Sequence, residues 1–191
     1  MLFRSLLFEL DAGLNLGKCI GWPWGVSSTY FQISRSVADD FSLELWFRTT
    51  AYVSASDVYY NGPALFGGEV SGYVNDFAVT FPNGHIVAGT GNTDVHISSG
   101  GRLDTGDWKH VVFTRLKSGG VLRLYVNGLL VNGYSGANAS SLTSSTYLGI
   151  GGFNVGTSPQ FYAGAICHAA IYNAVLTQNS VYAHYLAGMG W

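Results

Sequence analysis

Charge is what this sequence has least of. Asp, Glu, Lys and Arg make up 10% of its 191 residues, against roughly 25% in an average globular chain. Nine basic and 11 acidic side chains leave a net charge of −2, with no run of Lys or Arg. A nucleic-acid partner needs a basic stripe to neutralise phosphates, and none is present. From residue 124 to the end, 68 residues pass without one Asp, Glu, Lys or Arg. Two readings fit that stretch: a surface solvated by its many Ser, Thr, Asn and Gly, or a face packed against other subunits.

Other absences narrow the field further. No stretch reaches the roughly 18 apolar residues of a membrane span, so no membrane insertion is expected. The opening residues are apolar but broken by Arg4 and Glu9, and they lack the basic segment and small-residue cleavage site of a signal peptide. The expectation is therefore a chain made in a cytoplasm. Only two cysteines occur, Cys19 and Cys167, and such distant partners do not space a metal site. They can pair only if the first and last strands lie side by side with Cα atoms roughly 4.4–6.8 Å apart. Without a signal peptide, two reduced, packed thiols are expected.

What is present is strand pattern. Hydrophobic residues reach 48%, ample for a core. From Phe41 to Arg48 the chain alternates, with Phe41, Leu43, Leu45 and Phe47 on one face and Ser42, Glu44, Trp46 and Arg48 on the other, the period of a strand. Asp76 to Phe81 and His85 to Ala88 read as a hairpin about Asn83-Gly84, where positive φ is favoured. Trp108 to Leu116, Val121 to Val126 and Leu129 to Val131 follow, with Leu122, Leu124 and Val126 inward, a turn at Asn127-Gly128, and Asn132-Gly133 ending the run. Tyr147 to Ile150 and Ala163 to Tyr172 are further strands. A short helix is predicted from Thr177 to Leu186, capped by Thr177, with Gly188 past its end. Many short strands with glycine turns predict an all-β chain: a two-sheet antiparallel jelly-roll β-sandwich with one short C-terminal helix, residues 1–191 forming one domain.

These segments resemble the laminin-G-like, concanavalin A-like lectin/glucanase superfamily. Phe41-Ser-Leu-Glu-Leu-Trp-Phe-Arg is similar to the family's early strand, with an acid and a Trp two positions apart. Trp108-Lys-His-Val-Val-Phe-Thr-Arg followed by Leu122-Arg-Leu-Tyr-Val-Asn-Gly is similar to its central hairpin, the most specific signature. Tyr147-Leu-Gly-Ile-Gly-Gly, Phe161-Tyr-Ala-Gly-Ala-Ile, and the end from Ala170 to Thr177 with His184-Tyr-Leu-Ala-Gly resemble the closing strands and helix. One departure stands out. Where the family usually carries Asp-Glu after Gly-Ala-Ile, this chain has Cys167 and His168, so roles tied to that acid pair do not carry over.

Related folds include glycoside hydrolases, which need two carboxyl groups roughly 5–5.5 Å apart for retaining chemistry. No Glu-x-Asp-x-x-Glu run occurs. Glu44 has only Ser42 and Trp46 as same-face neighbours on its strand; Asp39 and Asp40 point apart; Asp104 and Asp107 sit in a turn. His110 and His184 read as structural residues, while His85 and His96 are placed to face each other across a hairpin. No catalytic residue is assigned. Calcium, which resembling domains often bind through loop oxygens, has weak candidates in Asp76 and Asp94; ordinary Asx turns explain both loops as well. Loop aromatics and amides offer carbohydrate-binding or interface positions: Trp22 and Trp24 around Pro23, Tyr59, Tyr60 and Asn61, and Tyr73 with Asn75.

The functional expectation is a non-enzymatic structural or adhesive module of a bacteriophage virion: a head-decoration, tail or fibre-tip protein made in the host cytoplasm. Its partners would be copies of itself or other virion subunits, and a cell-surface glycan. A free-standing carbohydrate-binding lectin is the alternative, and a divergent glycoside hydrolase the third reading.

Overall fold

The computed structural model describes residues 7–10, 18–22, 29–72, 74–155 and 158–190. Within them lie β1 (Leu7–Leu10), β2 (Lys18–Trp22), β3 (Phe31–Ser34), β4 (Phe41–Arg48), β5 (Ala64–Gly67), β6 (Phe77–Thr80), β7 (Val87–Thr90) and β8 (Val95–Ser98). There follow β9 (Lys109–Leu116), β10 (Val121–Val126), β11 (Leu129–Tyr134), β12 (Tyr147–Ile150), β13 (Gly152–Val155), β14 (Ser158–Phe161), β15 (Gly164–Tyr172) and one helix, α1 (Gln178–Gly188). Seven strands form one sheet in the order β1-β2-β15-β4-β9-β10-β11, and six form the other, β3-β12-β5-β6-β7-β8. A separate ribbon pairs β13 with β14. All pairings are antiparallel. This is the jelly-roll sandwich with a C-terminal helix that the residue pattern predicts.

The alternation in β4 sets the sandwich. Phe41, Leu43, Leu45 and Phe47 enter one core with Leu65, Phe77, Val79, Phe113, Leu122 and Leu124. Phe41 meets Phe77 from the opposite sheet at 4.6 Å between ring centroids. The other face of β4 is buried too, because α1 lies over it: Val181 packs with Val112 and Tyr125, and Tyr185 and Met189 pack with Trp46. Arg115 is fully buried without a carboxylate partner at its tip. Its Nη1 donates to the carbonyls of Ala38 (3.0 Å) and Asp39 (2.6 Å), and its Nη2 to those of Asn138 (2.9 Å) and Ser140 (2.6 Å). One guanidinium thus ties together two loops at the end of the sandwich.

Local expectations meet mixed outcomes. Asn127 (φ 50°) and Gly128 (φ 78°) form the tight turn between β10 and β11, as an Asn-Gly pair should. Asn132-Gly133 does not end β11, which runs on to Tyr134; the register slips so that Leu124 faces Asn132 and Tyr125 faces Leu130, and Val131 is the extra residue. His85 and His96 do not face each other: His96 is opposite Gly89, while His85 Nε2 lies 3.3 Å from Asp57 Oδ1.

The cysteines require a correction. Cys19 and Cys167 form a disulfide, with Cα atoms 4.5 Å apart. Pairing of Ile20 with Ile166 sets β2 directly beside β15, which brings the two thiols together. The expectation of free thiols leaned on the reading of the opening residues, whereas strand order decides the matter. Joining positions 148 residues apart restricts the unfolded chain and stabilises the fold by about 2–5 kcal/mol.

Candidate functional site

A cleft of about 370 Å³ opens on the outer face of the seven-stranded sheet, between β15 and α1. Its origin is a bulge. Cys167 pairs with Trp46 and Ala170 with Glu44, so β15 spends one more residue than β4 across this span. The surplus pushes His168 and Ala169 outward, and His168 takes a φ of 48°, uncommon for a residue other than glycine. Across the gap runs the last turn of α1. Its Gly188 allows close approach, since a Cβ there would stand 2.4 Å from the Trp46 ring.

Glu44 lies at the floor, reached through its place on the outward face of β4. His110 Nε2 lies 2.8 Å from Oε1, and His184 Nδ1 lies 2.9 Å from Oε2. Tyr172 adds a hydrogen bond from its hydroxyl. Burial alone pushes the Glu44 carboxyl up, yet the bonds from His110, His184 and Tyr172 together hold it below its ordinary value. Glu44 is therefore ionised at neutral pH. Burial, then the hydrogen bond to Glu44, raises the Tyr172 phenol to about 12, so it stays protonated and donates. Trp46 completes the floor, stacked on Tyr185 with centroids 5.7 Å apart and 13° between planes.

The loops flanking the six-stranded sheet hold most of the positions expected from sequence. Tyr59 is buried rather than presented; its hydroxyl donates to Asp76 Oδ1 at 2.9 Å. Tyr60 is exposed and meets Tyr59 edge-on at 5.1 Å. Asn61 and Asn75 are half-buried, and Asn75 Oδ1 accepts from Asn138 Nδ2 at 2.8 Å. Trp22 ends β2 opposite Gly164. Trp24 and Tyr73 lie outside the described residues.

Asp76 sits beside Glu69, a residue that sequence reasoning passed over. Both are buried. Burial first, then the Asp76 charge, pushes the Glu69 carboxyl up to about 9; burial raises Asp76 as well, opposed by bonds from the Val70 N–H and Tyr59. A proton on Glu69 thus balances the pair. Calcium would need six to eight oxygens turned inward. Here both oxygens of Asp76 already accept, from Tyr59 and from Val70 N at 2.9 Å, while the Asn138 amide donates to the Gly91 carbonyl at 2.9 Å. Asp94 adds charge nearby from a turn residue with φ 49°. Among the described residues no group of three His, Cys, Asp or Glu is placed to hold a metal. The oxygens present do not make a calcium cage.

Sequence spacing missed the Glu44 cluster for a plain reason. Its members come from β4, β9, β15 and α1, and positions 44 and 184 are 140 residues apart. The outward Glu44 was visible; the helix that roofs it with His184 was visible separately.

Comparison with known proteins agrees with this architecture. The family model described as the concanavalin A-like lectin/glucanases superfamily matches residues 26–182. No curated protein matches the chain. Among solved structures, domain 4 of AbnA, a GH43 extracellular arabinanase from Geobacillus stearothermophilus in complex with arabinotriose, superposes with a TM-score of 0.71 at 16% identity, covering 94% of this chain and 81% of that one. The Ruminococcus gnavus IT-sialidase CBM40 bound to alpha2,3 sialyllactose gives 0.66 at 18% identity, covering 82% and 92%. A heptameric SAP-like pentraxin from Limulus polyphemus gives 0.63 at 14%, covering 86% and 79%. Two sheets of matching topology, one roofed by a helix, and the family match over most of the length lead to one conclusion: the chain belongs to the concanavalin A-like lectin/glucanase superfamily.

Proposed function

We propose that this chain is a non-catalytic carbohydrate-binding and adhesion module. The observation that carries the reading is the cleft beside α1, where polar groups from β4, β15 and α1 converge on a small space walled by Ala169, Ala170 and Ala187. Structural neighbours include a carbohydrate-binding module with sialyllactose bound. Among the described residues Glu44 is the only carboxylate lining this cleft, whereas glycoside hydrolysis uses two. The buried Glu69–Asp76 pair is closed off beneath Tyr59, out of reach of a substrate.

The setting we propose is a virion surface, with the module docked to copies of itself or to other subunits. Supporting this, the uncharged third of the chain puts Leu129, Leu130, Val131 and Tyr134 on the exposed edge strand β11, the kind of strand that proteins usually protect or cover. A buried disulfide also suits the oxidising surroundings of a particle outside the cell. The test is a glycan array probed with the purified chain, run alongside a reducing-sugar assay and sedimentation of native particles. Retention of a defined glycan without sugar release, and the chain found with particles, is the expected result. An array blank at high protein concentration overturns the binding reading; sugar release overturns the non-catalytic one; absence from particles overturns the setting.

A further inference from the structure

We propose that the cleft between the β15 bulge and α1 is the sugar site itself, and that it takes a single neutral pyranose recognised through its hydroxyl protons. The proposal rests on the carbohydrate-binding reading above and assigns it a place and a ligand class. Size comes first. About 370 Å³ lies near the lower end of the roughly 300–1,000 Å³ of small-ligand pockets, enough for one sugar ring and short of an extended chain.

Hydrogen-bond polarity decides the class. Glu44 is ionised and can only accept. His184 sets its Nδ1 2.9 Å from that carboxylate, and its ring is half-exposed at the cleft. Tyr172 spends its hydroxyl proton on Glu44, so its oxygen presents lone pairs. Two acceptors, the Glu44 carboxylate and the Tyr172 oxygen, therefore face a common space, and their ligand must bring donors. A pyranose offers several hydroxyl donors on one small frame, and its C–H face suits the methyl walls of Ala169, Ala170 and Ala187. An acidic sugar would set its carboxylate against Glu44, with no Lys or Arg among the described residues lining the cleft to offset it. Sialic and uronic acids are thus disfavoured.

His110 is a positioning residue. Fully buried, it holds Glu44 from behind at 2.8 Å and never reaches the cleft. On the opposite sheet the outer face is closed to a sugar. Phe153 lies against Gly67 there, where a Cβ would fall 1.9 Å from the ring, and Tyr59 covers Gly89. The chain's own aromatic rings occupy that face.

The experiment titrates the intact chain with methyl glycosides of neutral hexoses, N-acetylhexosamines, free hexosamines and hexuronic acids, following Trp fluorescence and calorimetry. Neutral hexosides should bind, and hexuronides should bind at least tenfold more weakly. Tyr172→Phe should weaken the best neutral ligand about tenfold. Ala187→Leu, which fills the cleft from the exposed face of α1, should abolish binding while thermal unfolding stays as in the wild type. That variant keeps the test decisive should Glu44→Gln disturb folding. Undiminished binding by folded Ala187→Leu overturns the location, as does loss of binding on Tyr60→Ala alone, which would move the site to the loop rim. Tighter binding of hexuronides or free hexosamines overturns the neutral class. If no sugar binds in any assay, the carbohydrate reading falls and takes this site with it.

Discussion

Two glutamates, one on β4 and one in the loop after β5, are buried almost equally and behave in opposite ways. Glu44 is 6% exposed and Glu69 7% exposed, so desolvation penalises both charges. Glu44 has two imidazoles and a phenol turned toward it and is held ionised. Glu69 has Asp76 beside it, and an Oε2 without a partner, and keeps its proton up to about pH 9. The outer faces of the two sheets follow the same division. That of the seven-stranded sheet carries a polar cleft open at one side of α1. That of the six-stranded sheet is sealed by Tyr59 and Phe153 over Ala64, Ala78 and Val87. Depth of burial does not decide what a carboxylate does; the partners brought by distant segments do.

The strongest way to break this contrast is to open the sealed face. Phe153 is fully buried in a cluster of its own, lodged on Gly67. Phe153→Ala removes that ring and leaves a hole no neighbour can fill, at a cost of about 3–5 kcal/mol. A fall in melting temperature on the order of ten degrees is expected. Calorimetry of the variant checks it; a loss under two degrees would show that the ribbon of β13 and β14 is not a structural seal.

A second, smaller effect separates the two glutamates by pH. The Glu69 carboxyl is raised from the ordinary value of 4.5 to about 9. Between those values the unfolded chain releases a proton that the folded chain retains, so Glu69 lowers stability progressively as pH rises through that window. Glu69→Gln should therefore stabilise the protein at pH 8 by several degrees and match the wild type near pH 4. Glu44 has the reverse sign. Its folded value is lowered, so its contribution is present above the ordinary carboxylate range and is lost as pH falls through the folded value. Glu44→Gln should cost about 1–3 kcal/mol at neutral pH, with the deficit shrinking in acid. Parallel melting curves from pH 2 to 9 measure both; slopes of the same sign for the two variants would refute the contrast.

Much of the architecture was legible because local rules and global fold agree. The alternation from Phe41 to Phe47, the Asn127-Gly128 turn and the Thr177 cap each report a local preference, and each is where the pattern puts it. The cleft was not legible. Glu44 read as a lone acid because only its strand neighbours could be counted, and its true partners His110, Tyr172 and His184 arrive through pairing of β4 with β9 and β15 and through the docking of α1. The disulfide was hidden by the same long-range step, the placement of β2 against β15. Tyr59 shows the converse error of scale: an aromatic in a loop looks presented until the sheet beneath is found to be made of Ala and Gly, leaving a trough for its ring.

The finest probe of the contrast lies in α1, the element that gives the seven-stranded sheet its cleft. Thr177 Oγ1 accepts from Ser180 N at 3.1 Å, so Thr177→Ala removes one cap and should cost about 1 kcal/mol, or roughly 2–4 °C in melting temperature for a chain of this size. The effect stays small because other contacts seat the helix, among them these: Val181 is fully buried against Val112 and Tyr125, Gln178 Nε2 donates to the Gly128 carbonyl at 2.6 Å, Tyr185 stacks on Trp46, and His184 is tied to Glu44. Capping fixes where the helix begins, whereas packing fixes where it lies. Sugar affinity in Thr177→Ala should accordingly remain within twofold of the wild type. A larger loss of affinity than of stability would mean that the first turn of α1, rather than its Glu44-bound middle, sets the width of the cleft.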